Sequence, residues 1–411
     1  MNMAFPKHTR RAFLATGRRA LPMLLGAASL RAGVRSDGLD DFIEGERRAL
    51  RIPGLAACIV KAGRVVWSKG YGWANIGKRL PMDPDRTLQN IGSVSKTVVA
   101  TAVMQLWEKG KFQLDDDVNE RLPFAVRSPS HPETSVTYRL LLTHRSGIAD
   151  SPAYASSYAC GDPTLALESW LKAYFTPGGR YYDKQHNFHP WKPGEKHSYS
   201  NVGFGLLGYL VERISGESLP RYTKKNIFEP LGMKRTGWFL SEIDVDAHAV
   251  PYAPAAKGDT PDEEMEAYRK FGLLAGEAER DPSSGEHRPL CLYSFPNYPD
   301  GSLRTSVNQL ARLLLAYAND GALGDARVLS ADTVRLMLTP QAATSPQQGL
   351  CWATDLREGK RHWGHNGQDP GIRTLMSFRP SDGVGAIVFV NRAGADLSRI
   401  NERLFEESTR I

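Results

Sequence analysis

The sequence predicts an α+β protein: an antiparallel sheet with flanking helices built from both chain ends, with a mainly helical lobe inserted between them. Two sets of observations predict it. Short β-rich runs lie near both termini, at residues 55–61 and 65–71 and again at 372–378 and 384–390. Each pair is joined by a turn signal, Ala62-Gly63 in the first and Pro380-Ser381-Asp382-Gly383 in the second, so each reads as a hairpin. Between the two hairpins, apolar residues recur at helical spacing over 94–109, 201–215 and 307–319.

The elements follow in chain order. Residues 1–36 carry Lys7, Arg10, Arg11, Arg18, Arg19, Arg31 and Arg35 and no acidic residue. Thr9-Arg10-Arg11-Ala12-Phe13-Leu14 followed by the short apolar run 20–30 reads as a twin-arginine export signal. That run is too short to span a bilayer, which needs about 20 apolar residues. The leader also accounts for the basic character of the chain. Removing its seven cations from the 52 leaves 45 basic residues against 45 acidic ones, so no broad phosphate-binding surface and no nucleic-acid partner is implied. A hydrophobic fraction of 41% with 24% charge marks the rest as globular rather than disordered. Residues 37–411 are expected to form one domain.

Residues 39–51 read as a helix that buries Leu39, Phe42, Ile43 and Leu50, and 397–407 as a second that buries Leu397, Ile400 and Leu404. Two stretches look like insertions. Residues 154–195 are crowded with aromatics, among them Tyr154, Tyr158, Trp170, Tyr174, Tyr181 and Tyr182. They are expected either to line a cleft wall and set substrate preference or to form a small core beneath a long loop. Residues 254–300 are polar and rich in Pro and Gly, with a helical patch at 262–271. Cys58 lies in an apolar run and reads as a buried thiol. Cys160 and Cys291 lie in polar segments and can be bridged in an oxidising compartment, although the spacing alone leaves the pairing open.

Three short patterns carry chemistry. In Ile91-Gly92-Ser93-Val94-Ser95-Lys96, Ser93 opens a helix and Lys96 lies over it one turn later. A serine hydroxyl is a poor nucleophile until a neighbouring base takes its proton, and a lysine can be that base if a buried, cation-rich setting lowers its pKa. In Tyr199-Ser200-Asn201, a tyrosine just before a helix can shuttle a proton, and the asparagine can orient the lysine or a substrate carbonyl. In Gly364-His365-Asn366-Gly367, glycine beside a strand edge allows close backbone approach to a ligand. Two H-x-x-H pairs, His186 with His189 and His362 with His365, lack a third ligand at helical spacing, so a metal hydrolase is disfavoured. The G-x-S-x-G of α/β-hydrolases is absent.

Taken in order, S-x-x-K, Y-x-N and H-x-G resemble the motif set of the serine β-lactamase and penicillin-binding protein superfamily, especially its class C β-lactamase-like branch. Leu141-Leu142-Thr143-His144-Arg145-Ser146-Gly147 and Leu114-Asp115-Asp116-Asp117-Val118 add to the resemblance, which runs from Leu39 to Val390. It implies two lobes with the active site in the cleft between them, and no metal or organic cofactor. It also implies that Ser93 attacks a carbonyl, that Lys96 with Tyr199 manages the proton, and that Asn201 holds substrate and lysine. His365 stands where many relatives carry lysine. The oxyanion would lie between the N–H groups of Ser93 and of Gln368, the residue after Gly367. Superfamily substrates are β-lactams, D-alanyl peptides, D-amino-acid amides and esters, so a small molecule or a peptidoglycan-type peptide is the expected partner. An ester or small amide is favoured here, because His365 replaces a fixed cation, unless Arg357, Arg361 or Arg373 folds in to restore one. A D-alanyl-D-alanine carboxypeptidase, a class C-like β-lactamase and a non-catalytic penicillin-binding-like protein are the alternatives.

Overall fold

The computed structural model describes residues 37–255 and 262–411; the leader expected over 1–36 lies outside them. Its spine is a seven-stranded antiparallel sheet. The strands are β1 (Gly54–Lys61), β2 (Arg64–Asn75), β3 (Leu80–Pro81), β4 (Ala353–Arg357), β5 (Lys360–Asp369), β6 (Ile372–Arg379) and β7 (Val384–Val390). Their spatial order is β4-β5-β6-β7-β1-β2-β3, so the sheet closes where the first strand of the N-terminal hairpin pairs with the last strand of the chain.

That seam shows how period-two alternation sorts side chains. Leu55, Ala57 and Ile59 pair with Val390, Val388 and Ala386 on one face. This outer face is covered by α1 (Asp37–Ala49) and α6 (Ser398–Glu407), through Leu39, Ile43, Ile400, Leu404 and Phe405. Ala56 and Cys58 pair with Phe389 and Ile387 on the inner face, against Leu310, Leu313 and Leu314 of α5 (Val307–Ala318). Each such side chain removed from water contributes about 1.5–3 kcal/mol. Cys58 is the buried thiol its setting predicts, with its pKa pushed up to about 12 by burial.

The inserted lobe is built on α2 (Ser95–Glu108), which is buried on every side from Ser95 to Leu106, as a helix at the centre of a lobe must be. Packed with it in one apolar core are α3 (Leu167–Phe175) and α4 (Asn201–Ser215). The first turn of α4 is capped by Ser200 Oγ, which accepts from Gly203 N at 3.0 Å, and the helix ends at Gly216 with φ 74°. The helix that carries Asn201 is thus capped at its start by Ser200, from within Tyr199-Ser200-Asn201, and at its end by Gly216.

The aromatic insertion is chiefly core. Tyr154, Trp170, Tyr174 and Phe175 are buried, because Trp170 and Tyr174 fall one turn apart on a single face of α3. Residues 252–294 make a small three-stranded unit from Tyr252–Pro254, Glu279–Asp281 and Gly285–Pro289, carrying the expected helix at Asp262–Lys270. Its own apolar cluster contains Ala253, Tyr268, Leu273, Leu290 and Tyr293. A disulfide between Cys160 and Cys291 ties this unit to the aromatic insertion, where Ala159 pairs with Ser294.

Candidate active site

Ser93 sits in the 3-10 turn Gly92–Val94 that leads into α2. Gly92 has φ 52°, and a Cβ there would stand 2.9 Å from Gln368 N. A Cβ on Gly367 would reach 2.1 Å from Ile91 O and 3.2 Å from Ser93 N. Both positions must be glycine for the turn and strand β5 to approach so closely. The strand edge is available because β4 pairs with β5 only as far as Gly364. The approach brings the backbone nitrogens of Ser93 and Gln368 near one another, at the junction of the turn and β5.

Lys96 is fully buried, and its ammonium has a partner for each of its three hydrogens. It donates to Ser93 Oγ at 2.9 Å, to Asn201 Oδ1 at 2.7 Å and to the Asp300 carbonyl at 2.6 Å. Asp300 Oδ1 lies 3.8 Å from the same nitrogen. The Asp300 carboxyl is itself held by Tyr154 OH at 3.1 Å and Asn297 Nδ2 at 2.5 Å. Asn201 is fixed in turn by Asp150, whose carboxylate accepts from Asn201 N at 2.9 Å, Asn201 Nδ2 at 2.9 Å and Val202 N at 3.0 Å. Asp150 and Asp300 do not stand out in the sequence as site residues, and Tyr154 does so only as one of the aromatics of 154–195. Asp150 lies in a loop, Tyr154 in the short helix Pro152–Ala155 and Asp300 in the 3-10 turn Tyr298–Asp300, all far from Ser93 along the chain.

These acids reverse the expectation for the lysine. Burial pushes its pKa down, but the Tyr199 hydroxyl and the Asp300 and Asp150 carboxylates outweigh burial, and the net shift is upward. The surroundings are rich in anions rather than cations, so Lys96 rests as an ammonium. Tyr199 is 41% exposed, its ring open to the cleft, while its hydroxyl turns inward to Ser93 and Lys96. Burial of that hydroxyl raises its pKa against the pull of Lys96 and Ser93. The resting cluster therefore holds two protons, one on the amine and one on the phenol, and titrates as a coupled pair.

His365 lies within β5 rather than in a turn, on the strand face it shares with Gly367. Its ring is 6.4 Å from that of Tyr199, and Nδ1 is 2.7 Å from Asn366 O. Burial, assisted by Lys96, lowers its pKa to about 4. Asn366 is across from Leu375, which packs on the outer face of the sheet, so the asparagine amide turns away from Ser93. Arg373 is across from Val390, also an outer-face residue, and donates to the Gln368 side chain. Arg357 pairs with Asp355 at 2.9 Å. The two histidines of 362 and 365 fall on opposite faces of β5, with His362 against Phe405 of α6. His189 stacks on Trp191 and bonds Ser198, apart from His186 beside Asp183.

A large antiparallel sheet with a helical insertion, and a serine, lysine and tyrosine gathered at their junction, define a serine-hydrolase type of architecture. A family model described as Beta-lactamase matches residues 39–408, and this chain belongs to that family. It is similar to Protein flp of Staphylococcus aureus (strain N315), with 28% identity over 223 residues, 54% of this chain and 42% of that one. The match thus spans less than half the length of that relative. The putative penicillin-binding protein PbpX of Bacillus subtilis (strain 168) is 25% identical over 85% of this chain and 74% of its own. Among solved structures, the octameric penicillin-binding protein homologue from Pyrococcus abyssi superposes with a TM-score of 0.68 at 27% identity, covering 92% of this chain and 77% of that one. A class C beta-lactamase reaches a TM-score of 0.66 at 19% identity, covering 90% and 95%, and shares the fold.

Proposed function

We propose that this protein is an exported serine hydrolase that forms an acyl-enzyme at Ser93 and turns over esters or small amides faster than β-lactams. Ser93 Oγ attacks the substrate carbonyl carbon, and the carbonyl oxygen takes the negative charge between the Ser93 and Gln368 N–H groups. The serine proton passes to the Tyr199–Lys96 pair in its singly deprotonated form and then to the leaving group. Water reverses the sequence and releases the acid. Asn201 holds Lys96 in line and offers its amide to the substrate, and Asp300 keeps the pair's positive charge in place.

The observation that carries the substrate preference is the uncharged His365. A β-lactam presents a carboxylate beside its reacting ring, and binding it calls for a cation on this strand. With its pKa lowered to about 4, the imidazole is neutral at pH 7, and Asn366 and Arg373 face away. The test is kcat/KM for a p-nitrophenyl ester, a chromogenic cephalosporin and a D-alanyl-D-alanine peptide, with Ser93→Ala as the blank. The ester is expected to lead. A leading cephalosporin would overturn the preference, and a leading peptide would make the protein a carboxypeptidase.

Export rests on Arg10-Arg11 and gains support from the Cys160–Cys291 disulfide, since such bonds persist in oxidising compartments. Changing Arg10 and Arg11 to lysine should leave uncleaved precursor in the cytoplasm. Processing that continues unaltered would remove the twin-arginine reading.

A further inference from the structure

The proposed mechanism asks the hydroxyl of Tyr199 to stay on Ser93 and Lys96, yet Tyr199 is among the large side chains left exposed. A ring open to a cleft on one side has no core packing there to fix its tilt. Lys96 Nζ lies 5.0 Å from its centroid and the His365 ring 6.4 Å away, and the ring stacked on it is that of His144. The two rings stack at 4.1 Å between centroids with an interplanar angle of 26°. The same imidazole accepts, at Nδ1, the backbone N–H of Ser200 at 3.1 Å, so one side chain holds both the ring of Tyr199 and the peptide that follows it. Behind it, Phe204 of α4 lies 5.0 Å away and His197 5.9 Å away, which closes the other approaches to the ring.

Two further features show that this placement is specified. His144 has φ 55°, a region that costs a non-glycine residue energy and persists only where the surroundings over-determine it. It is also buried, and accepting at Nδ1 leaves the proton on Nε2, which is buried with no partner. Burial and the charge of Lys96 hold its pKa well below the usual histidine range, so the ring stays neutral beside the ammonium. The neighbouring titratable groups are Lys96, His197 and His365, with the Tyr199 hydroxyl. An orphaned polar atom in a strained, closed position is costly for a residue with only a packing role.

We infer that His144 is a positioning residue: a neutral imidazole shelf that fixes the tilt of Tyr199 and so the place of its hydroxyl between Ser93 and Lys96. The inference rests on the hydrolase reading for its kinetic consequence, while the ring geometry it asserts is independent of that reading. A phenylalanine at 144 keeps the shelf and loses the acceptor. An asparagine keeps an acceptor and tolerates positive φ, but removes the shelf.

The experiment measures the rate at which a fluorophosphonate acylates Ser93 in wild type, His144→Asn, Tyr199→Phe and the double variant, with kcat and KM for the p-nitrophenyl ester. His144→Asn is expected to slow acylation and kcat by about 10- to 100-fold with KM within about twofold, and to add less than about twofold on the Tyr199→Phe background. His144→Phe should lose melting temperature but lose less rate than His144→Asn. Wild-type rates in His144→Asn, or a loss that multiplies fully with Tyr199→Phe, would overturn the inference. Should wild type fail to label, the hydrolase reading fails instead. The inference is then decided by 3-fluorotyrosine placed at 199, whose fluorine resonance must move in His144→Asn if the stack exists. An unmoved resonance in a folded variant sinks it.

Discussion

Among the described residues two serine-centred polar clusters can be compared, at Ser93 and at Ser284, and the one with the more familiar composition lacks the geometry a nucleophile needs. In the three-stranded unit, Ser284 Oγ donates to Asp281 Oδ2 at 2.5 Å and lies 3.0 Å from His287 Nε2. Serine, histidine and aspartate are all present, but the roles are misassigned. The aspartate takes the serine proton directly, and does not orient the far side of the histidine, whose Nδ1 is buried without a partner. Ser284 is 3% exposed and His287 is fully buried. Asp281 also accepts from Ser283 at 2.8 Å and faces Arg47 of α1 at 3.7 Å, so the cluster fastens the small unit to the N-terminal helix. Burial alone would raise the Asp281 pKa, but the serines and Arg47 hold it below the usual carboxylate range.

Ser93 differs in each respect that chemistry requires. It is partly exposed, its hydroxyl accepts from Lys96, and the backbone nitrogen of Gln368 approaches its turn closely enough to be proposed as a second oxyanion donor. Reactivity is thus a matter of an open face, a proton path and oxyanion donors, and not of which side chains are adjacent.

The largest effect that can break this contrast is at the nucleophile. Ser93→Ala should cut turnover by at least about a thousandfold with an unchanged melting temperature, and Lys96→Ala should lose nearly as much, because residues acting as a unit do not lose additively. A Ser93→Ala protein that still turns over the ester at the wild-type rate, with Ser284→Ala inactive, would exchange the two clusters.

The pH profile sharpens the comparison next. Both pKa values of the Lys96–Tyr199 pair are raised, and the active form has lost one of its two protons. The ester kcat/KM should therefore climb with pH above 7, by about tenfold per unit until the pair titrates. Asp300→Asn removes a carboxylate that holds the charge on Lys96, so it should move the climb to lower pH by about one unit. A profile that falls above pH 7, or one that Asp300→Asn leaves in place, contradicts the resting state described here.

The smallest effect belongs to the second cluster. Ser284→Ala should lower stability by about 1–2 kcal/mol, through the lost hydroxyl bonds to Asp281 and His287, and leave Ser93 labelling unchanged. Denaturant unfolding and fluorophosphonate labelling read the two quantities separately.

Much of the frame was legible from residue pattern. Both terminal hairpins, α1, α6 and the long helices of the middle follow from alternation and helical spacing, because each signal is local. The hairpin of β4 and β5 was not legible: Gly364-His365-Asn366-Gly367 reads as lying beside a strand edge, and only pairing with β6 puts it within a strand of its own. The aromatics of the insertion offered two readings, and the burial of Trp170 and Tyr174 on one face of α3 decides for core. Tyr154 reaches the site by a different route, holding Asp300 behind the lysine rather than lining the cleft.

The sequence by itself determined which residues are available for chemistry and the order in which the chain presents them, since the apolar spacing that follows Ser93 and Asn201 is a local helix signal. Only the tertiary structure decided their charge. The field at Lys96 is the sum of Tyr199, Asp300 and Asp150, drawn from three distant segments, and a Coulomb interaction depends on distance in space rather than along the chain.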